Sequence, residues 1–149
     1  MKAFFRVFCG VALAACSALA LEKEFVDRIV QSAQNIERDA SLVSQALKTK
    51  KVDTADVTAK LEAMDVDVTK LQQLVKDFDS TDPKLSDRDR ASWNLVKDKV
   101  QLLDIFHEQK KNLAAGDMSK NRDLIRAIAN GVVTRAQKLQ QIAMTLRRG

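Results

Sequence analysis

The chain is poor in residues that interrupt helices or favour sheets. It has one proline, four glycines and no tyrosine among 149 residues, and aromatic residues make up 5%. Proline and glycine fit poorly into helix interiors and aromatic residues favour strands, so this shortage favours helices. With 46% hydrophobic and 30% charged residues, the composition is that of a folded domain and not of a disordered chain. The length suits one domain.

Cysteine and histidine are equally scarce. Both cysteines, Cys9 and Cys16, lie near the N-terminus, and His107 is the only histidine. If residues 1–20 are removed, the remaining chain has no cysteine. That would exclude disulfides, thiolate metal sites and a cysteine nucleophile, and the domain would then be held by its hydrophobic core alone.

The N-terminus has the pattern of a secretory signal. Lys2 and Arg6 supply positive charge, residues 7–18 are apolar or small, and Ala18-Leu19-Ala20 forms an A-x-A cleavage site. Charged residues begin again at Glu22. The apolar run is shorter than the ~20 residues that a membrane-spanning helix needs. We therefore predict a signal peptide over residues 1–20, a domain over 21–149, and a periplasmic or secreted protein.

A second cleavage pattern overlaps the first. Residues 13–16, Leu-Ala-Ala-Cys, match a bacterial lipobox, in which the thiol of Cys16 is acylated and becomes the new N-terminus. Such a protein would be anchored to the envelope by lipid alone. Because residues 17–21 continue the apolar run, we favour cleavage after Ala20 and keep lipidation at Cys16 as the alternative.

Four segments carry apolar residues in alternating steps of three and four, which is the pattern of helices packed on helices. The positions are Ile29, Ala33, Ile36, Ala40, Val43 and Leu47; Val57, Leu61, Met64, Val68, Leu71, Val75 and Phe78; Trp93, Val96, Val100 and Leu103; and Ile125, Ala129, Val132, Ala136, Leu139, Ala143 and Leu146. In the third segment, Leu95, Leu102 and Phe106 are expected to widen this stripe.

Residues typical of helix ends separate the four segments. The first segment covers about 22–51, and Asp53 or Thr54 is the expected N-cap of the second. Residues 79–83, which include Pro83, form a connection, and Ser86 with Asp89 resembles a capping box. Gly116-Asp117 ends the third segment, and the fourth is expected to begin near Asp117 or Ser119. We predict an all-α, up-down-up-down antiparallel four-helix bundle preceded by an N-terminal signal helix; a three-helix bundle with one bent helix and an intermolecular coiled coil are the alternatives.

Charge is unevenly distributed. Without residues 1–20 the chain carries 23 basic and 20 acidic residues, a mild excess that does not indicate nucleic-acid binding. Residues 52–82 hold three basic and eight acidic residues, whereas residues 118–149 hold seven basic and one acidic residue. We expect the second and fourth helices to complement each other within the bundle or across a dimer. A bipolar docking surface is the alternative.

No residues are predicted to be catalytic, cofactor-binding or metal-binding. His107 continues the series of the third segment, so we interpret it as a half-buried histidine, with Asp104 as the residue that could orient its ring. A carboxylate di-metal centre uses E-x-x-H pairs, which are missing, and the chain has five glutamates. Methionines 64, 118 and 144 and Trp93 are interpreted mainly as core residues.

The second half resembles the small periplasmic b-type cytochromes. The similarity lies in Asp82-Pro83-Lys84-Leu85 and in residues 113–117, Leu-Ala-Ala-Gly-Asp. The resemblance implies a four-helix bundle that binds haem through a methionine in the first helix and a histidine in the last. This chain departs from the pattern: Phe25, Val26 and Ile29 occupy the first region, and residues 141–146 offer Met144 but no histidine. We therefore expect no cofactor.

The expected function is that of a non-enzymatic, exported bundle that binds or assists other components of the cell envelope. Its expected partners are proteins or further copies of itself, with no nucleic acid, and with a membrane contact only if Cys16 is lipidated. A cytochrome-like haem or small-ligand carrier and a lipid-anchored envelope lipoprotein are the alternatives.

Overall fold

Four helices and no strand make up the described part of the chain. The computed structural model describes the backbone of residues 5–81 and 84–147 and the side chains of residues 23–81 and 84–146. The helices are α1 (Phe5–Ala46), α2 (Thr54–Ser80), α3 (Asp87–Ala115) and α4 (Arg122–Arg147). They pack against one another, which confirms the all-α, four-helix prediction. None of the described helices has both the length and the apolar character needed to cross a bilayer.

The predicted helix ends are largely confirmed. Asp53 caps α2, since its carboxylate accepts a hydrogen bond from the backbone N–H of Asp56 at 3.1 Å. Ser86 caps α3 in the same way, accepting from the N–H of Asp89 at 3.2 Å. Gly116 lies at the C-terminal cap of α3. These side chains satisfy backbone groups that have no partner within the helix.

Two helix ends differ from the prediction. The end of α1 at Ala46 comes five residues before the predicted end at Lys51, and α4 begins at Arg122 and not near Asp117 or Ser119. The carboxylate of Asp117 accepts a hydrogen bond from the N–H of Lys120 at 3.0 Å, so this cap closes a separate turn ahead of the helix. The signal that we interpreted as the start of a helix therefore defines the connection.

The apolar residues predicted at steps of three and four form the core. All six predicted apolar positions of the first segment are buried, including Leu47 just after the end of α1. The first five of α2, all four of α3 and the first six of α4 are also buried, whereas Val75, Phe78 and Leu146 are partly buried against them. Alanine alternates with larger residues on the buried faces of α1 and α4. Small side chains let two helices approach closely, and the most extensive contact between two helices is that of α1 with α4.

The prediction for the flank of α3 is wrong in part. Leu95 and Leu102 are exposed, whereas Phe106 is half-buried beneath the guanidinium of Arg135, whose Cζ lies 3.8 Å from the ring centroid. At roughly 100° per residue, Leu95 and Leu102 lie on a different face from Trp93. The core face of α3 instead continues through His107 and Lys110.

Each helix contacts two of the other three in the described structure. α1 packs on α2 and α4, and α3 packs on α2 and α4, whereas α2 and α4 make no contact with each other. The acidic α2 and the basic α4 therefore do not neutralise one another within one molecule. Our expectation of complementarity inside the bundle is wrong because these two helices are not neighbours.

Candidate functional site

A group of polar and charged side chains interrupts the contact between α2 and α3. His107 lies there with a side chain only 1% exposed, so it is buried more deeply than the predicted half-buried histidine. Its Nε2 lies 3.2 Å from Oδ1 of Asp65 on α2, and its Nδ1 has no hydrogen-bond partner. The ring is therefore oriented by Asp65 and not by Asp104, because α2 brings the carboxylate of Asp65 to Nε2.

Lys110 lies one turn beyond His107 and is fully buried. Its Nζ donates to Sδ of Met64 at 2.9 Å, and a thioether is a weak acceptor. Burial lowers the pKa of Lys110 from 10.5 to about 7. Our sequence reasoning missed this residue. The signal was available, because the series 93, 96, 100, 103, 107 continues in a step of three to position 110.

Asp65 connects the buried histidine to the solvent. Nζ of Lys111 donates to Oδ1 of Asp65 at 2.9 Å and to Oε1 of Glu108 at 3.1 Å. The hydrogen bond from Lys111 lowers the pKa of Asp65, and the same bond raises the pKa of Lys111. Burial, followed by the charge of Lys110, lowers the pKa of His107, and the hydrogen bond to Asp65 opposes that shift only in part.

The same group contains atoms that could serve as metal ligands. One donor atom each of Asp65, His107 and Glu108 lie within 4.8 Å of one another. However, the ammonium of Lys111 bridges the two carboxylates, and Nδ1 of His107 lacks the second hydrogen-bond partner that usually orients a ligand histidine. The geometry is therefore that of an ion-pair network with a buried histidine at its edge.

A surface groove runs beside this network. It has a volume of about 360 Å³ and is lined by Thr58, Leu61 and Glu62 of α2 and by Ala114 of α3, together with Asp65 and Lys111. The groove gives solvent access to Asp65. Lys110 and His107 do not line it, so the groove ends at the outer layer of the network.

Aromatic side chains close one end of the bundle. The rings of Phe25 and Phe78 are stacked with centroids 4.4 Å apart, and Trp93 lies tilted against Phe78 at 4.6 Å. The indole Nε1 of Trp93 donates to Asp79 at 2.7 Å, and the ring is buried, as predicted for a core residue. Beside them lies a cavity of about 80 Å³, which Leu146 helps to line.

The positions compared with the haem-binding family lie at this end. Phe25 takes part in the aromatic cluster, Val26 lines the small cavity, and Met144 is exposed. Met64 and Met118 are buried, as expected for core residues, whereas the interpretation of Met144 as a core residue is wrong. Cys16, Ala18 and Ala20 fall in the stretch of α1 whose side chains lie outside the described residues, so cleavage or acylation there stays a prediction.

Comparison of the chain with family models, with curated proteins and with solved structures gives no significant match.

Proposed function

We propose that this chain is an exported, non-enzymatic helical-bundle protein of the cell envelope that acts by association through exposed helix surface. The leader-like pattern of residues 1–20 supports export. Every core residue that the structure describes lies at position 26 or beyond. Cleavage after Ala20 would therefore leave this part of the core intact.

The proposed architecture is an up-down-up-down antiparallel bundle preceded by the signal helix. Contacts across the helix pairs support it. Along α1 from Glu37 to Ser44, the partners on α4 run backwards from Gln140 and Gln137 to Asn130. Along α2 from Asp65 to Asp79, the partners on α3 likewise run backwards from His107 to Trp93.

The observation that carries the proposed association is an apolar strip on α3. Leu95, Leu102 and Ile105 are exposed at positions i, i+7 and i+10, which places them on one side of the helix. We call these three residues the α3 outer face. Exposed apolar side chains that share a helix face are typical of helix-packing surfaces.

The charge distribution favours a second copy of the chain as the occupant of the α3 outer face. Residues 52–82 carry a net charge of −5 and residues 118–149 a net charge of +6, yet α2 and α4 do not contact each other within the described molecule. Both helices flank α3. If two α3 outer faces meet about a two-fold axis parallel to the helices, α2 of each copy lies opposite α4 of the other.

Analytical ultracentrifugation of two matched variants tests this association. Leu102 is 36% exposed and Leu42 of α1 is 38% exposed, so Leu102→Asp and Leu42→Asp make the same chemical change at equal exposure. We expect the wild type and Leu42→Asp to dimerise and Leu102→Asp to stay monomeric. A wild-type monomer at high micromolar concentration, or equal behaviour of the two variants, would refute the association.

The proposed location is tested separately by cell fractionation and mass spectrometry of the N-terminus. A chain beginning at Leu21 in the periplasm or medium supports export, and an acylated Cys16 in the membrane fraction supports the lipoprotein alternative. An intact N-terminus in the cytoplasm contradicts both. Loss of a substrate turnover in His107→Ala would contradict the non-enzymatic part of the proposal.

The aromatic end of the bundle favours one alternative, a small-ligand carrier. Its cavity of about 80 Å³ is lined by Phe25, Phe78 and Trp93, and also by the charged side chains of Lys84 and Asp89. That volume suits only a few non-hydrogen atoms, so a haem would require the helix ends to separate. A Soret band in the purified protein would support the cytochrome-like alternative, and a colourless protein after haem addition would end it.

A further inference from the structure

The buried face of α3 changes from apolar to ionisable residues within one helical turn. Its buried positions from Trp93 to Leu103 are hydrophobic, whereas the next two, His107 and Lys110, carry titratable groups. Both side chains are essentially inaccessible, with exposed fractions of 1% and 0%. Burying a charged group without a partner is costly, so the protonation state of this pair affects the contact between α2 and α3.

The partners of the pair do not compensate two positive charges. Lys110 has a thioether as its acceptor, and the hydrogen bonds of the described residues give it no carboxylate. His107 faces Asp65, but Asp65 already accepts a hydrogen bond from Lys111. The carboxylate of Asp65 is also half-exposed, so water weakens its attraction for a buried cation.

Among the described residues, Asp65 is the one carboxylate in hydrogen-bond or ion-pair contact with His107 or Lys110. On α3, Asp104 precedes His107 by one turn, and Glu108 pairs with Lys111. On α1, Asp39 pairs with Arg38 and Glu37 accepts from Gln137 and Gln140; on α4, Asp123 lies near Arg122 and Arg126, and Arg135 covers Phe106.

We propose that the contact between α2 and α3 is an acid-sensitive joint, closed while Lys110 and His107 are neutral and loosened when they take up protons. This contact is the least extensive of the four between helices, so it is the one that separates at lowest cost. Protonating both residues would place two positive charges one turn apart between the helices. Separation of α2 from α3 would expose the side chains of Lys110 and His107 to water and so hydrate their charges.

The direction of the pH effect follows from burial. Burial lowers the pKa of Lys110 to about 7 and lowers the pKa of His107 below its ordinary 6.5. The loosened state therefore binds more protons than the closed state. The stability of the closed contact therefore decreases as pH falls from 10.5 toward 7, because Lys110 takes up a proton. It decreases again below pH 6.5, because His107 does so too.

Hydrogen–deuterium exchange of the full chain at pH 8.5, 7 and 5.5 tests the joint. Adjacent lysines supply a matched pair, since Lys110→Met and Lys111→Met make the same change at a buried and at a half-exposed position. Between pH 8.5 and 7, we expect wild-type protection factors in α2 and α3 to fall by up to about 30-fold, or about tenfold per pH unit. Protection in the α1–α4 pair should change less.

The variants decide the outcome. Between pH 8.5 and 7, the protection factors of α2 and α3 should stay constant in Lys110→Met. In Lys111→Met they should fall as they do in the wild type. An unchanged pH response in Lys110→Met, or an equal loss in all four helices, would overturn the proposal. If Lys110→Met does not fold, NMR titration of the Lys110 side chain in the wild type decides it, because a pKa near 10.5 contradicts a neutral buried amine.

Discussion

Two adjacent leucines of α3 provide a direct test of the packing. Leu103 is 0% exposed, whereas Leu102 is 36% exposed on the α3 outer face. Substitution of Leu103 by alanine removes methyl groups from a closed core and leaves a cavity, which costs about 3–4 kcal/mol of unfolding free energy. Substitution of Leu102 removes the same atoms from a side chain that is partly in water, and we expect a loss of at most about 1 kcal/mol.

Urea unfolding followed by circular dichroism measures the difference. With an m-value of about 1.5 kcal/mol/M, the loss in Leu103→Ala lowers the midpoint by about 2–2.7 M, and that in Leu102→Ala by less than about 0.7 M. The protein should be dilute enough to be monomeric, so that loss of the proposed dimer does not add to the second value. Equal midpoint shifts would refute the placement of the core face of α3.

Three further substitutions test the polar interactions. Lys110→Met should raise the free energy of unfolding at pH 7 by up to about 5 kcal/mol, because the pKa falls from 10.5 to about 7 and each pH unit corresponds to about 1.4 kcal/mol; a lower urea midpoint would contradict this. Burial lowers the pKa of His107, so wild-type stability should fall as pH drops below 6.5, and His107→Gln should reduce that slope in acid-unfolding curves. Asp79→Ala removes the acceptor of the Trp93 indole and should cost about 1 kcal/mol with a shift in tryptophan emission; unchanged stability would mean that the bond contributes nothing.

The four helices and their buried faces were predictable because they depend on local rules. Steps of three and four place Ile29, Val57 and Ile125 and their successors on one side of each helix, and the structure buries them. The caps at Asp53 and Ser86 follow from side-chain chemistry within three residues of the helix start. Such features need no knowledge of which helices are neighbours.

The polar network at α2–α3 was not predictable in the same way. Asp65 and His107 are 42 residues apart in sequence, and their approach depends on the register of α2 against α3. Reasoning from neighbours in the sequence could only suggest Asp104 as the residue that orients the ring of His107. Lys110 is a different case: the periodicity extends to its position, but lysine is almost never fully buried, so the residue type gives no sign of burial.

The contact of α1 with α4 and the contact of α2 with α3 differ in the kind of residue that they bury. Ala33 and Ala40 of α1 and Ala136 of α4 are buried, and small side chains of this kind let two helices approach closely. The contact of α2 with α3 instead includes Lys110 and His107, whose neutral forms are required for tight packing. We therefore expect a fall in pH to act mainly on the contact of α2 with α3. If the chain is exported as we propose, acid outside the cytoplasm would loosen the contact of α3 with α2 while α1 and α4 stay together, and the exposed leucines on α3 would move with that helix.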